Sequence, residues 1–274
     1  MDARAKKALE YFLREDIGMA DITSRLLPKV TISARIISRQ RGIVAGVLYA
    51  REIFVSRNCK VKISRRDGSK VGRNDTIMTV SGSAYSVLSC ERTALNLMSR
   101  MSGIATATNS MAAVVKKSNP KVLLYSTRKT APGLRIFDKE AVAIGGGRRH
   151  RLTLDEMIMI KDNHLAVMGL RDMVRAARKH HGRFEVEVET LEDAVLAARE
   201  GAPIIMLDNM PPREISRTVA ALKREGLRKK VTIEASGGID ASNLRSYAKS
   251  GVDMISVGWL TSSAKGLDLS LEVS

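Results

Sequence analysis

The chain has 274 residues, 44% hydrophobic and 4% aromatic, with 46 Lys and Arg against 29 Asp and Glu for a formal charge of +17. That length suits one large domain or two smaller ones with a sizeable core; no apolar run approaches the roughly 20 residues of a membrane span, and the cysteines, Cys59 and Cys90, are too few for a disulfide framework. The cationic surplus asks for nucleic acid, an anionic surface or a polyanionic small molecule, but there is no finger spacing, no single-strand motif and little aromatic surface to stack bases. The basic residues are also spread along the chain, so nucleic acid is not the expected partner, and two lone cysteines point to a reducing, cytoplasmic setting.

Residues 3–14 place Ala5, Leu9, Tyr11, Phe12 and Leu13 at helical intervals among charges, which predicts a first helix and lacks the apolar core of a signal peptide. From 30 to 80 the text becomes strand-like, TISARIISRQRGIVAG and CKVKISRRDGSKVGRNDTIMTVSG, with Val, Ile and Thr alternating with polar residues and Gly68, Gly72 and Gly82 at turns. A helix over 47–55 separates the two stretches. Residues 86–101 are again helical, with Arg92 beside Glu91 in the middle; spacing alone makes Arg92 a surface residue paired within its helix. SGIAT at 102–106 reads as a boundary. Residues 1–105 are therefore expected to form an α+β domain with a small antiparallel sheet.

Beyond it the pattern repeats. Helix-like ATNSMAAVVKKSN precedes KVLLYST, a helix near 134–144 precedes MIMIK, and LRDMVRAARKHH precedes FEVEV. LEDAVLAAREG then leads to APIIMLD, PREISRTVAALKREG to VTIEA, and DASNLRSYAKSG to VDMISVG. Strands alternating with helices imply parallel β/α architecture, and strands apolar almost throughout are what burial on both faces demands. No GxGxxG follows a first strand, so residues 106–274 are expected to close into a β/α barrel and not to form a dinucleotide-binding open sheet. The fold class is α/β, an α+β amino-terminal domain followed by the barrel.

In such barrels functional groups gather at the carboxyl ends of the strands. Those ends carry Thr127, Arg128 and Lys129; Lys161; Glu187 and Glu189; Asp208; Glu234 with Ser236, Gly237 and Gly238; and Ser256 with Gly258. After the flexible run GGG come Arg148, Arg149, His150 and Arg151. Basic runs are usually solvated faces, Gly-rich turns usually only turn, and Glu187 and Asp208 could be structural partners of the cations. Collected at strand ends, the set points instead to a small, strongly anionic ligand. The last two turns, rich in backbone N–H groups, suit a phosphate. Glu187 and Asp208 could equally hold magnesium with its phosphates.

EDIGMADITS, ERTALNLMSRMSGIAT, TRKTAPGLR, GGGRRHR, IKDNH, EVEVETLEDA, LDN, EASGG and SVGWLT follow one another over nearly the whole chain. In that order and spacing they resemble the quinolinate phosphoribosyltransferase family, the carboxylating nicotinate-nucleotide pyrophosphorylases. One departure is Arg149, where the family usually has Asn before the His-Arg pair. The resemblance implies a magnesium-dependent enzyme that joins quinolinate to phosphoribosyl pyrophosphate and releases pyrophosphate and carbon dioxide. It leaves nicotinate mononucleotide, a precursor of NAD. It also implies a homodimer with a shared active site, to which Arg92 is contributed across the interface.

Residue by residue, the resemblance assigns Arg92, Arg128 and Arg151 to the substrate carboxylates, which guanidinium binds bidentately. Thr127, Lys129, His150 and Lys161 join them, with Lys129 and Lys161 also catalytic. Glu187 and Asp208 become catalytic and metal-holding acids, and Ser236, Gly237, Gly238 and Gly258 the cradle for the ribose phosphate. Two relatives share the scaffold: a nicotinate phosphoribosyltransferase, which handles one carboxylate without decarboxylation, and a protein associated with molybdenum transport. Lys161 in IKDNH favours the quinolinate enzyme over the latter.

Overall fold

The computed structural model describes residues 1–180 and 183–274; His181, the last residue of the predicted helix LRDMVRAARKHH, lies outside the described residues. In chain order the elements begin α1 (Ala3–Ile17), β1 (Thr31–Ser38), β2 (Gly42–Ile43), α2 (Val47–Val55), β3 (Lys60–Ile63), β4 (Lys70–Val71), β5 (Thr76–Ser83) and α3 (Ala84–Ser118). There follow β6 (Leu123–Ser126), α4 (Arg135–Ile144), β7 (Met159–Ile160), α5 (Asp162–Val167), α6 (Leu170–Lys179), β8 (Glu185–Val188), α7 (Leu191–Glu200) and β9 (Ile204–Asp208). The last are α8 (Pro212–Arg224), β10 (Thr232–Ser236), α9 (Leu244–Lys249), β11 (Met254–Val257), α10 (Trp259–Ser262) and β12 (Leu269–Val273). None of the described helices is long and apolar enough to cross a membrane. The chain divides into two compact units, one of residues 1–109, 130–146 and 263–274, the other of residues 110–129 and 147–262.

In the first unit α1 starts where the Asp2 carboxylate accepts the Arg4 N–H at 2.7 Å, and it buries Ala5, Leu9 and Leu13, one stripe at four-residue spacing. The antiparallel sheet has the order β12-β1-β5-β3. Ala34 and Ile36 of β1 are fully buried, as are Met78 and Val80 of β5 across the ladder. Strand β12 is absent from the sequence expectation; it pairs β1 from Ala34↔Val273 to Ser38↔Leu269, a partner far along the chain that local pattern cannot reveal. Helix α4 also belongs to this unit, setting the Phe137 ring centroid 4.8 Å from Tyr49 and 5.8 Å from Phe12.

The helix expected over 86–101 does not end at 102–106. Helix α3 runs unbroken through that stretch for 35 residues. Gly103 is where another backbone comes close: a Cβ there would overlap the Lys265 carbonyl oxygen and lie 2.8 Å from Gly266 Cα. Its missing side chain makes room for packing and does not end the helix.

The second unit holds six parallel strands in the order β6-β11-β10-β9-β8-β7. Taken cyclically this is simply chain order, with the last strand beside the first, which is how a barrel is wound and not how an open sheet reverses at a switch point. The ladder lacks a β6–β7 pairing, and there Arg148 bridges Tyr125 in parallel instead. Alternation along the strands then sorts the side chains. Val186, Val188, Ile205, Leu207, Ile233, Ala235, Ile255 and Val257 are buried on one face. Glu185, Glu187, Asp208, Glu234, Ser236 and Ser256 fall on the other, in register with Met206 and Met254. Carboxylates of β8 and β10 converge past the intervening β9, so that second face is the concave interior. The expectation of strands apolar on both faces fails here: the interior carries buried acids.

Candidate active site

All the predicted site residues except Arg92 lie in the second unit; most are at the carboxyl ends of its strands or in the loops that follow, while His150 and Arg151 lie in the segment between α4 and β7. Thr127, Arg128 and Lys129 leave β6, with the Thr127 hydroxyl accepting the Lys129 N–H at 3.2 Å. The turn after β11 packs on this one, because the Thr261 hydroxyl donates to the Lys129 carbonyl at 2.7 Å. A Cβ on Gly258 would sit 3.1 Å from Lys129 Cδ and 3.3 Å from Thr127 Oγ1. The turns after the first and last barrel strands are thus one surface.

The turns after β9 and β10 are locked in the same way. Asn209 takes a left-handed backbone (φ 51°), and its N–H donates to the Ser236 carbonyl at 2.9 Å. Its side-chain amide donates to the Asp208 carboxylate at 2.6 Å. Gly237 (φ 86°) has no room for a Cβ, which would lie 2.6 Å from the Asn209 nitrogen and closer still to Asn209 Oδ1. Gly238 follows with φ 61° and nothing within 4 Å of its Cβ position, so the open side of this turn is backbone alone. That suits an approaching phosphate. Asn209 was not among the predicted residues; a left-handed Asn directly after a strand-end Asp is the sequence signal for it.

Lys161 is the first residue beyond β7. Its N–H donates to His164 Nδ1 at 2.9 Å, which caps α5, and its ammonium pairs with the Glu187 carboxylate. Burial raises the Glu187 carboxyl; the Lys161 contact opposes this, and the Asp208 charge adds to it. Glu187 and Asp208 are therefore electrostatic neighbours, one of them screened by a lysine.

Arg151 is the most enclosed cation of the set, 8% exposed. It donates through Nη1 to the Met157 carbonyl at 3.0 Å and through Nη2 to Met159 Sδ at 3.3 Å. Its Nε is buried without a partner among the described residues. Burial disfavours its charge, the neighbouring Arg128 guanidinium disfavours it further, and Glu185 favours it. Two like charges held together with a buried donor left over is an arrangement that an anion relieves.

His150, expected to touch substrate, faces inward instead. Its backbone is left-handed (φ 54°) and its ring lies edge-on to Tyr125, centroids 5.8 Å apart. Nε2 lies 3.3 Å from Glu185 Oε2 and 3.4 Å from Glu234 Oε2, while Nδ1 accepts the Arg151 N–H at 2.8 Å. Both ring nitrogens thus face protein groups. Burial lowers the imidazole pKa but the two carboxylates outweigh it, to about 9. Glu185 was missed in the sequence. The alternation in EVEV puts it on the face of Glu187, which could have found it.

Arg149, at the position of the family's usual Asn, accepts a hydrogen bond from the Ser126 hydroxyl through its carbonyl at 3.1 Å. Arg92 sits on α3 in the first unit with its side chain 63% exposed and Glu91 at 3.8 Å, an ion pair too open to fix it.

The chain matches the family model for the quinolinate phosphoribosyl transferase N-terminal domain over residues 21–102 and that for the C-terminal domain over residues 104–272. It belongs to the quinolinate phosphoribosyltransferase family. A probable nicotinate-nucleotide pyrophosphorylase (carboxylating) of Methanothermobacter thermautotrophicus is 46% identical over 273 residues, 97% of each chain. The human nicotinate-nucleotide pyrophosphorylase (carboxylating) is 35% identical over 269 residues, 97% of this chain and 90% of the human one. The solved structure of the nicotinate-nucleotide pyrophosphorylase from Francisella tularensis superposes with a TM-score of 0.92 at 36% identity, covering 99% of this chain and 96% of that one. The barrel reading of the second unit and the antiparallel sheet of the first agree with that likeness.

Proposed function

We propose that this chain is a decarboxylating quinolinate phosphoribosyltransferase of NAD biosynthesis. It joins quinolinate to the ribose of phosphoribosyl pyrophosphate and releases pyrophosphate and carbon dioxide, leaving nicotinate mononucleotide. The observation that carries the reading is Arg151 beside Arg128, with the Arg151 Nε buried and without a partner among the described residues. Two guanidinium groups in a low-dielectric pocket suit a planar ligand with two adjacent carboxylates.

The chemistry follows from the residues at the strand ends. The ring nitrogen of quinolinate bonds to the anomeric carbon as the bond to pyrophosphate breaks, so positive charge develops on the ribose. Glu187 and Asp208 are the acids available to stabilise that charge. Lys129, exposed beside Gly258, and Lys161 can reach the departing pyrophosphate; the turns at Ser236, Gly237, Gly238 and Gly258 offer backbone to the ribose phosphate. The carboxylate next to the ring nitrogen then leaves as carbon dioxide. Its bonding pair stays on the ring carbon, stabilised by the adjacent cationic nitrogen, and takes up a proton.

Glu187 and Asp208 also fit magnesium: two neighbouring hard carboxylates are what it uses when substrate phosphates supply further oxygens. When bound, the ion would neutralise charge on the leaving pyrophosphate. The exposure of Arg92 on α3 supports a homodimer in which it serves the partner's barrel. Two free, buried cysteines support a reducing, cytoplasmic setting. Spread basic charge with few aromatics supports small polyanions, not nucleic acid, as partners.

The test is incubation with quinolinate, phosphoribosyl pyrophosphate and magnesium, following the mononucleotide and carbon dioxide. Equimolar release of both is expected. Comparable use of nicotinate, with no carbon dioxide, would overturn the assignment.

A further inference from the structure

Below the cations, the barrel interior holds a cluster that the reaction as described does not use. Glu185 and Glu234 side chains are fully buried, and both oxygens of each lack hydrogen bonds among the described residues. Their approaches to His150 Nε2, at 3.3 and 3.4 Å, are ion-pair contacts. Interiors of such barrels are ordinarily filled by branched aliphatic side chains, and burying two carboxylates together is costly. A purely structural filling would not choose them.

A metal ion is the first occupant to consider, since one donor atom from each of His150, Glu185 and Glu234 lies within 4.8 Å of the others. The ring itself argues against it. The Arg151 N–H points at Nδ1 from 2.8 Å, so that nitrogen offers its lone pair and the imidazole hydrogen is on Nε2, facing the carboxylates. A metal on Nε2 would need that hydrogen gone and would normally leave Nδ1 as a donor. The carboxylates ask for positive charge on the ring and the Arg151 amide asks for a bare Nδ1, but both place a hydrogen on Nε2.

We propose that Glu185 and Glu234 are positioning residues for quinolinate: they hold Nε2–H of His150, and His150 through Nδ1 holds the Arg151 backbone. This rests on the quinolinate reading of the site. The relay runs from two barrel strands to one loop residue. It fixes the left-handed backbone at His150, and with it the point from which the Arg151 side chain reaches Met157 and Met159. Glu185 also favours the Arg151 charge that burial and Arg128 oppose. The guanidinium is thereby set and partly balanced before substrate arrives, so binding need not organise it.

The experiment uses the full chain and a double-mutant cycle of Glu234→Gln and His150→Asn, Asn being tolerant of the left-handed backbone. Glu185→Gln replaces Glu234→Gln in the cycle if the latter does not fold. Initial rates with quinolinate and phosphoribosyl pyrophosphate varied in turn give both KM values and kcat. Glu234→Gln should raise the quinolinate KM by about ten- to a hundredfold, the scale of a small misplacement in a site, and leave the phosphoribosyl pyrophosphate KM nearly unchanged. In the His150→Asn background the same change should add less than about twofold, since residues acting as one unit do not add. Full additivity, or equal rises in both KM values with a lowered melting temperature, overturns the relay in favour of general loosening. Nitrogen-15 spectra of labelled histidine, read on wild type, should give a hydrogen on Nε2 of His150 whose signal moves in Glu234→Gln. A ring protonated only on Nδ1, or stoichiometric metal retained by wild type on dialysis and lost in His150→Asn, overturns it as well. Wild type that does not turn over quinolinate sinks the functional reading instead, while the spectra still report on the pinned ring.

Discussion

Replacing Arg151 with Met separates what that residue does for binding from what it does for folding. In the free protein its charge is supported by one good hydrogen bond, to the Met157 carbonyl at 3.0 Å, and by Glu185, and opposed by burial, by Arg128 and by an Nε without a partner among the described residues. Losing that hydrogen bond costs about 1 kcal/mol. Removing a poorly compensated buried charge returns a comparable amount, and the flexible Met side chain refills the space. The two roughly cancel, so the melting temperature should move by no more than about 4 °C, the shift that roughly 1 kcal/mol produces in a domain of 150–250 residues. Against quinolinate the balance is one-sided. Each hydrogen bond from a guanidinium to a carboxylate contributes about 1.5–3 kcal/mol, so a lost bidentate pair is about 3–6 kcal/mol. That corresponds to roughly 10²- to 10⁴-fold in affinity at 1.4 kcal/mol per decade.

Nicotinate, with one carboxylate, should bind the wild type poorly, because it leaves a buried cation unpaired, and should lose less on the substitution. The assays are calorimetric titration of both acids, quinolinate kinetics at saturating phosphoribosyl pyrophosphate, and a thermal melt. If the quinolinate KM and kcat hold while the protein melts far lower, Arg151 is a structural group and the argument from its partnerless Nε is wrong.

Glu187→Gln and Asp208→Asn should lower kcat by about 10²-fold, the scale for removing one electrostatic contribution to a transition state, and leave quinolinate affinity nearly intact in titrations. Gly237→Ala should destabilise by about 1–3 kcal/mol for its left-handed backbone alone, with further loss from the 2.6 Å approach to the Asn209 nitrogen. Gly258→Ala has the flexible Lys129 Cδ at 3.1 Å and Thr127 Oγ1 at 3.3 Å as its nearest neighbours, so melts and the phosphoribosyl pyrophosphate KM should rank it the milder change. Neither Cys59 nor Cys90 should react with an aromatic disulfide at neutral pH until the chain is unfolded, since burial raises both thiols, Cys90 to about 12. Inactive Arg92→Ala and Lys161→Ala proteins, mixed under subunit exchange, should regain part of the activity; no recovery with exchange demonstrated would count against a shared site.

The six barrel strands were legible because most are short, largely apolar runs closed by polar or glycine residues, with β8 alternating as EVEV, and their alternation with helices dictates parallel winding. What was not legible depends on partners far along the chain. Gly103 looks like a helix end when only its own propensity is considered; the Lys265 and Gly266 backbone that needs its missing Cβ lies over 160 residues away. Strand β12 has the right alternation but no local sign that β1 is waiting for it. Helix α5 is too short for periodicity and depends on a cap between Lys161 and His164. Glu185 is the most instructive miss, and Glu234 was read only as one of the strand-end groups. Both occupy positions where two-sided burial calls for apolar side chains, and only their convergence on His150 explains them.

That convergence also bears on how one site can hold a substrate with two carboxylates and still expel one of them. Cations that gripped both groups equally in ground state and transition state would tighten binding without speeding the reaction. The grip must therefore be unequal, and unequal grips need fixed donors. Arg151 is enclosed and tied to the barrel interior through His150; Lys129 is exposed on a turn. Acids beneath the fixed cation lower the cost of keeping it in place while the pocket waits, and they cannot compete for the ligand because they lie on its far side, against His150. Charge in this protein is thus arranged in depth, anionic within and cationic at the strand ends, and a net count of +17 conceals that order.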